Sequence, residues 1–230
     1  MDVFGLALSD FYKNGNADIL WLNNSYGDIE EMPVAIFFRT EEEMPVLEHK
    51  ALEACYGKVL DVGAGVGSHA LILQEIGLDV TAIDVSADAV KIMQQRGVKK
   101  AFEESIFLTN KKYDTLLFLM NGIGLTGTLP GFIDFLHHAK KLLLPKGQLL
   151  FDSSDISYLY EESVKPENHY FGEVSYSYTY KNKLGNWFNW LYLDQETLIH
   201  IAKENGWETE IIFDDGEDQY LARLTLSNSI

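Results

Sequence analysis

The apolar positions of this chain change period along its length. Between residues 58 and 152, short apolar runs alternate with segments whose apolar residues recur every three to four positions. Val59-Leu60-Asp61-Val62, Val80-Thr81-Ala82-Ile83-Asp84 and Tyr113–Leu119 read as strands, with further strands near residues 99–102 and at Gln148–Asp152. Between them the pattern predicts helices over Gly67–Ile76, from the cap residue Ser86 to Arg96 with Gly97 as its stop, and from Pro130 to about Leu144. Such βαβα alternation implies a mostly parallel sheet covered by helices on both faces.

Beyond residue 170 the period drops to two. Val174, Tyr176, Tyr178 and Tyr180 alternate with Ser175, Ser177 and Thr179; after a loop at Lys181–Asn186, Phe188, Trp190 and Tyr192 alternate again. This predicts a β-hairpin of unusual aromatic content. A helix capped by Asp194 follows, then a strand pair, Trp207–Phe213 and Gln219–Leu226, around Asp214-Asp215-Gly216. Residues 1–56 read differently: a short helix carrying Phe4, Leu6, Leu8, Phe11 and Tyr12, a break at Asn14-Gly15-Asn16, the run Ile19–Leu22, and a helix over Pro45–Tyr56. The expectation is an α/β domain over 57–230, with a seven-stranded sheet ending in an antiparallel pair, a hairpin inserted at about 170–193, and a helical cap over 1–56.

Composition narrows the partners. The 230 residues hold 18 Lys plus Arg against 35 Asp plus Glu, a formal charge of −17. A chain this acidic repels phosphate backbones, so nucleic-acid substrates are disfavoured. One cysteine, Cys55, rules out an intrachain disulfide or a cysteine-built zinc site, and no His/Asp/Glu spacing suggests another metal site. The opening residues lack the basic and apolar regions of a signal peptide, and no apolar run reaches the length of a membrane span. The expected compartment is the cytoplasm; the oligomeric state stays open.

The chemistry concentrates at Asp61-Val62-Gly63-Ala64-Gly65-Val66-Gly67, directly after a strand and opening a helix. Glycines there admit positive φ and let a ligand approach the backbone, and the helix end supplies free N–H groups. A dinucleotide loop would need glycine where Ser68 stands, whereas Asp-x-Gly-x-Gly-x-Gly is complete. Asp84 closes the next strand about twenty positions on, where a carboxylate can accept hydrogen bonds from ribose hydroxyls. That feature indicates a nucleoside without choosing which.

At these residues the chain resembles motif I of the class I S-adenosylmethionine (SAM)-dependent methyltransferases, with Asp61, Gly63, Gly65 and Gly67 matching. The resemblance implies SAM as cofactor, the loop from Asp61 through Ala64 to Gly67 against its methionine and ribose portions, and Asp84 with Val85 beside the sugar. It implies Ser105 and Ile106 as a polar contact and apolar shelf for adenine, and Asn121-Gly122 at the carboxyl edge of the sheet. Leu143–Leu150 is similar to the family's late motif, with Gln148 departing from the usual second glycine.

The implied reaction is methyl transfer to an oxygen, nitrogen or carbon of a small molecule. An NAD-dependent oxidoreductase and a non-catalytic SAM-binding protein remain alternatives. His69, His137 and His138 are possible bases, each more readily read as structural. The aromatic hairpin, with Tyr12, Trp21 and Tyr26, is a wall of the acceptor site, part of the core, or an interface.

Overall fold

The computed structural model describes residues 1–161 and 164–227; the end of the expected 57–230 domain, residues 228–230, lies outside them. In chain order the elements are α1 (Val3–Asn14), β1 (Leu20–Asn24), β2 (Glu30–Met32), α2 (Val46–Ala54), β3 (Lys58–Val62), α3 (Ser68–Glu75), β4 (Asp79–Asp84), α4 (Ala87–Arg96), β5 (Ala101–Glu103) and β6 (Tyr113–Phe118). They continue with α5 (Leu129–Leu142), β7 (Leu143–Ser154), β8 (Glu173–Tyr180), β9 (Lys183–Leu184), β10 (Phe188–Leu191), α6 (Gln195–Glu204), β11 (Trp207–Asp214) and β12 (Gln219–Leu226).

The main sheet has seven strands in the order β11-β12-β7-β6-β3-β4-β5. β7, β6, β3, β4 and β5 pair in parallel, while β12 is antiparallel to both β7 and β11, as the sequence pattern predicts. The strand residues sort by alternation. Leu60, Val62, Leu116, Phe118, Leu149 and Phe151 pack with Phe132, Phe135 and Leu136 of α5 and Leu198 and Ile201 of α6. Val59, Leu117 and Leu150 point the other way, into Leu47 and Leu52 of α2, Leu73 of α3 and Met93 of α4. Near-continuous apolar strands thus bury both faces, as a parallel sheet requires.

The caps form where the sequence places them. Ser86 Oγ accepts the Ala89 N–H at 3.0 Å, and Asp194 accepts that of Thr197 at 2.9 Å. Gly97 ends α4 at φ +101°.

The N-terminal region departs from a helical cap. Helices α1 and α2 are present, but β1 and β2 lie between them and join the hairpin in a second sheet, in the order β10-β8-β1-β2 with β9 on β8. Trp21 stands opposite Thr179 and Asn24 opposite Tyr176. The physical reason is the alternation in β1, where Leu20 and Leu22 are buried and Trp21 between them is exposed. Four residues of this strand, Trp21 to Asn24, find their partners more than 150 positions away, which local periodicity does not encode.

Candidate functional site

The turn after β3 is built by three left-handed glycines, Gly63 at φ +66°, Gly65 at +55° and Gly67 at +82°. Two groups from outside the turn fix it. The Ala64 N–H donates to Ile83 O at 3.0 Å, and the Gly65 N–H donates to Asp84 Oδ2 at 2.9 Å. Asp84 Oδ1 accepts the Ser86 N–H at 2.8 Å. Asp84 therefore clamps the glycine turn to the start of α4. Below the turn, Arg96 donates to Val66 O at 2.8 Å and to Ser68 Oγ at 3.0 Å.

A cavity of about 710 Å³ opens over this turn, within the range of about 300–1,000 Å³ typical of ligand sites. Asp61, Gly63, Ala64, Gly65, Asp84, Val85, Ser105, Ile106 and Gly122 all line it. Gly67 and Asn121, also expected in the site, do not. A Cβ at Gly67 would lie 2.8 Å from Val98 Cγ2 and 3.0 Å from Met93 Cγ, so this glycine lets α3 and α4 pack closely. Asn121 turns its side chain to Ser154, whose Oγ donates to Asn121 Oδ1 at 3.1 Å. Its backbone, and that of the cavity-lining Met120, holds positive φ of +55° and +62°. Both Asp152 carboxylate oxygens accept the Asn121 N–H at 2.9 Å and secure this strained bend.

Three buried carboxylates adjoin the cavity: Asp61 and Asp84 line it, and Asp152 braces the bend at Met120 and Asn121. Burial pushes Asp61 and Asp84 each up to about 6 and Asp152 up to about 7. Asp61 Oδ2 is buried with no hydrogen-bond partner. A raised folded value means the native state binds more protons than the unfolded chain, so stability is lost as pH rises. For Asp152 the window runs from 3.8 to about 7. The melting temperature of Asp152→Asn is accordingly expected to gain on that of the unsubstituted protein as pH rises from 5 to 8. A difference that stays constant, measured by calorimetry across that range, would refute the account.

His69, the first of the histidines considered, lines the cavity and bonds Glu48 Oε2 at 2.7 Å. Glu48 Oε1 in turn accepts from Arg39 at 2.6 Å. Burial alone would push the Glu48 carboxyl up, but the His69 and Arg39 contacts outweigh it and hold it below its ordinary value. Arg39 also lines the cavity, with its Nε buried and unpartnered. Sequence reasoning missed Arg39 and Glu48, because nothing local marks a 3-10 turn and a helix face as neighbours of a loop twenty residues on. His138 instead bonds Ile106 O at 3.0 Å, and neither it nor His137 lines the cavity.

The far side of the cavity is aromatic. Tyr176 and Tyr178 of β8, and Trp187, Phe188, Trp190 and Tyr192 of the returning segment, line it with Phe4 of α1 and Phe37. A Cβ at Gly124 would fall 2.1 Å from Trp190 Nε1, so this glycine seats the indole against the turn after β6.

A seven-stranded sheet of this order, with a glycine turn after its first parallel strand and a carboxylate closing the next, defines a class I Rossmann-like methyltransferase. Residues 35–210 match the family described as "Methyltransferase domain". A SAM-dependent methyltransferase from Bacteroides fragilis, solved in complex with S-adenosyl-L-homocysteine (SAH), is 42% identical, with a TM-score of 0.91 over 98% of this chain and 95% of that one. The chain belongs to the SAM-dependent methyltransferases. The CcbJ methyltransferase from Streptomyces caelestis shares the fold at 14% identity and TM-score 0.62, over 82% of this chain and 99% of that one. A sugar N-methyltransferase from a Streptoalloteichus species does so at 14% and 0.56, over 89% and 96%. No protein of curated function matches the chain by sequence. Membership in this family displaces the oxidoreductase alternative.

Proposed function

We propose that this protein transfers the methyl group of SAM to a small-molecule acceptor held against the aromatic wall. One observation carries the reading: a single cavity runs from the glycine turn and Asp84 to Tyr176, Trp190 and Tyr192. Donor and acceptor sites that share one enclosure allow in-line displacement by proximity and orientation.

The residues fit the cofactor chemically. Asp61 Oδ2 has unspent acceptor capacity that suits an ammonium group. Arg39 offers a cation at the same wall for a carboxylate. Gly65 lines the cavity and a Cβ there would meet no atom within 4 Å, so the turn leaves open room for a ligand. Asp84 supplies carboxylate lone pairs to ribose hydroxyls, and Val85 and Ile106 supply apolar surface to a base. Ser105 adds a polar contact there. When bound, SAM supplies a methyl group activated on a positively charged sulfur. The polypeptide's part is to orient the acceptor, exclude water and take up any proton the acceptor releases.

The N-terminal segment and the hairpin close the acceptor end, since β1 pairs with β8, and β2 with β1, in the sheet that carries the aromatic wall. The cavity-lining cation Arg39 is already paired to Glu48, and the other ionisable walls include Asp2, Asp61, Asp84 and Glu104. That charge distribution supports a neutral apolar acceptor and disfavours a polyanion. Among the described residues no helix is long and apolar enough to cross a membrane.

Two measurements test the proposal. Titration calorimetry with SAH is expected to show one site per chain. Incubation with methyl-labelled SAM and a cell extract is expected to place label in the small-molecule fraction. Absence of SAH binding, or label confined to protein or nucleic acid, overturns it.

A further inference from the structure

A row of tyrosine hydroxyls leaves the cavity wall and reaches the surface. Tyr192 and Tyr176 both line the cavity, and their hydroxyl oxygens lie 3.1 Å apart. The Tyr176 hydroxyl lies 3.1 Å from that of Tyr26, which is outside the cavity lining. Tyr26 donates to Glu30 Oε1 at 3.0 Å, and Glu30 is exposed. Four side chains from β2, β8, the turn before β2 and the end of the hairpin thus form one continuous path.

Counting protons fixes its polarity. A phenol has one proton to give. The carboxylate of Glu30 only accepts, so the Tyr26 proton is committed to it. Tyr176 must then donate to Tyr26, and Tyr192 to Tyr176. The Tyr192 oxygen is left at the cavity wall with free acceptor capacity and no proton to offer.

Resting on the methyl-transfer reading above, we infer that Tyr192 recognises an aromatic acceptor through the O–H or N–H that is to be methylated, and that Tyr176, Tyr26 and Glu30 carry its proton to solvent. The flat body of the acceptor stacks among Trp187, Phe188 and Trp190, which line the same wall. As the acceptor heteroatom forms its bond to the methyl carbon, the bond from that carbon to sulfur breaks and its electron pair stays on sulfur. The heteroatom's proton moves to the Tyr192 oxygen. The Tyr192 proton passes to Tyr176, that of Tyr176 to Tyr26, and that of Tyr26 to Glu30, which releases it to water. One proton leaves per methyl transferred, and every tyrosine ends neutral. Burial holds all three phenols above their ordinary value. None stands as a stored anion, which favours passing the proton along the row over holding it.

The path predicts a preference that can be read without turnover. With the full chain saturated by SAH, 4-methylphenol is expected to bind about tenfold tighter than 4-methylanisole, the margin of one hydrogen bond. Quenching of Trp187 and Trp190 fluorescence reports both constants. Tyr192→Phe is expected to bring the ratio near one. Tyr26→Phe, a change outside the cavity, is expected to narrow it to about threefold or less, because Tyr176 then has no outward acceptor and can turn its proton inward. Glu30→Ala, a surface change, is expected to narrow it likewise. The inference is overturned if neither probe binds, if the unsubstituted protein shows no preference for the phenol, or if both Tyr26→Phe and Glu30→Ala leave the ratio unchanged. SAH titration on the same samples separates this outcome from failure of the methyltransferase site, since lost SAH binding indicts the latter alone.

Discussion

Replacing Asp84 by alanine is expected to weaken SAH binding by about 100-fold or more while lowering the melting temperature by only a few degrees. The asymmetry follows from what the carboxylate does. It accepts the N–H of Gly65 at 2.9 Å and of Ser86 at 2.8 Å, so its loss leaves two buried backbone donors unpaired. Each unpaired donor costs about 1–3 kcal/mol. Against this, burial has pushed Asp84 up to about 6, so the folded protein at neutral pH carries the carboxylate charge at a penalty. Alanine removes that penalty, and the two contributions to folding partly cancel.

Nothing cancels in binding. The variant loses the acceptor proposed for the ribose hydroxyls, worth about 1.5–3 kcal/mol for hydrogen bonds to a charged group, and loses the clamp that shapes the glycine turn. Asparagine at the same position retains one acceptor and should fall between. Calorimetric titration with SAH, set beside thermal unfolding of the free protein, checks both halves. Equal affinity in the alanine variant would remove the nucleoside role of Asp84.

How far these roles were legible from the sequence depends on the range of the interaction that creates each. The order of β3 to β7 and their helices follows from local periodicity, because each strand declares two buried faces and each helix one. The placing of Asp61, Gly65 and Asp84 at the cavity was legible for the same reason: a turn and a strand end occupy fixed places in a βαβ unit. The second sheet was not. Trp21 meets Thr179 through backbone pairing, and no property of Leu20–Asn24 alone names that partner. The Arg39–Glu48–His69 chain was hidden likewise, since it forms only when α2 packs beside the start of α3. The aromatic hairpin was conspicuous, yet its position on the cavity wall depended on that same long-range pairing. Tyr26 gained a role only through contact with Tyr176, 150 positions away. The resemblance puts Gly67, in the glycine motif, and Asn121, at the carboxyl edge of the sheet, beside the cofactor; in the structure neither lines the cavity, Gly67 lying against Val98 and Met93 and Asn121 bonding Ser154.

The glycines of the turn separate these two kinds of duty, and their alanine variants should diverge. Both hold positive φ, +55° at Gly65 and +82° at Gly67. An L side chain in that region costs about 1–2 kcal/mol. At Gly67 a second cost adds to the first. Its Cβ would press on Val98, 5% exposed, and on Met93, fully buried, with no flexible surface group to give way. Overpacking of that kind costs about 1–3 kcal/mol. For a chain of 230 residues, where 1 kcal/mol shifts the midpoint by about 2–4 °C, Gly67→Ala is expected to melt about 4–20 °C lower. Its SAH affinity below the transition should change by only a few-fold, because Gly67 does not line the cavity. Gly65→Ala reverses the order. Its Cβ meets no protein atom within 4 Å, so only the backbone strain of about 2–8 °C remains. That methyl group occupies space at the cavity wall, so SAH affinity is expected to fall by more than about tenfold, a loss of about 1.4 kcal/mol or more. Matching losses of affinity and of thermal stability in the two variants would mean that Gly67 faces the ligand after all, and that the close approach of α3 and α4 is not what selects glycine there.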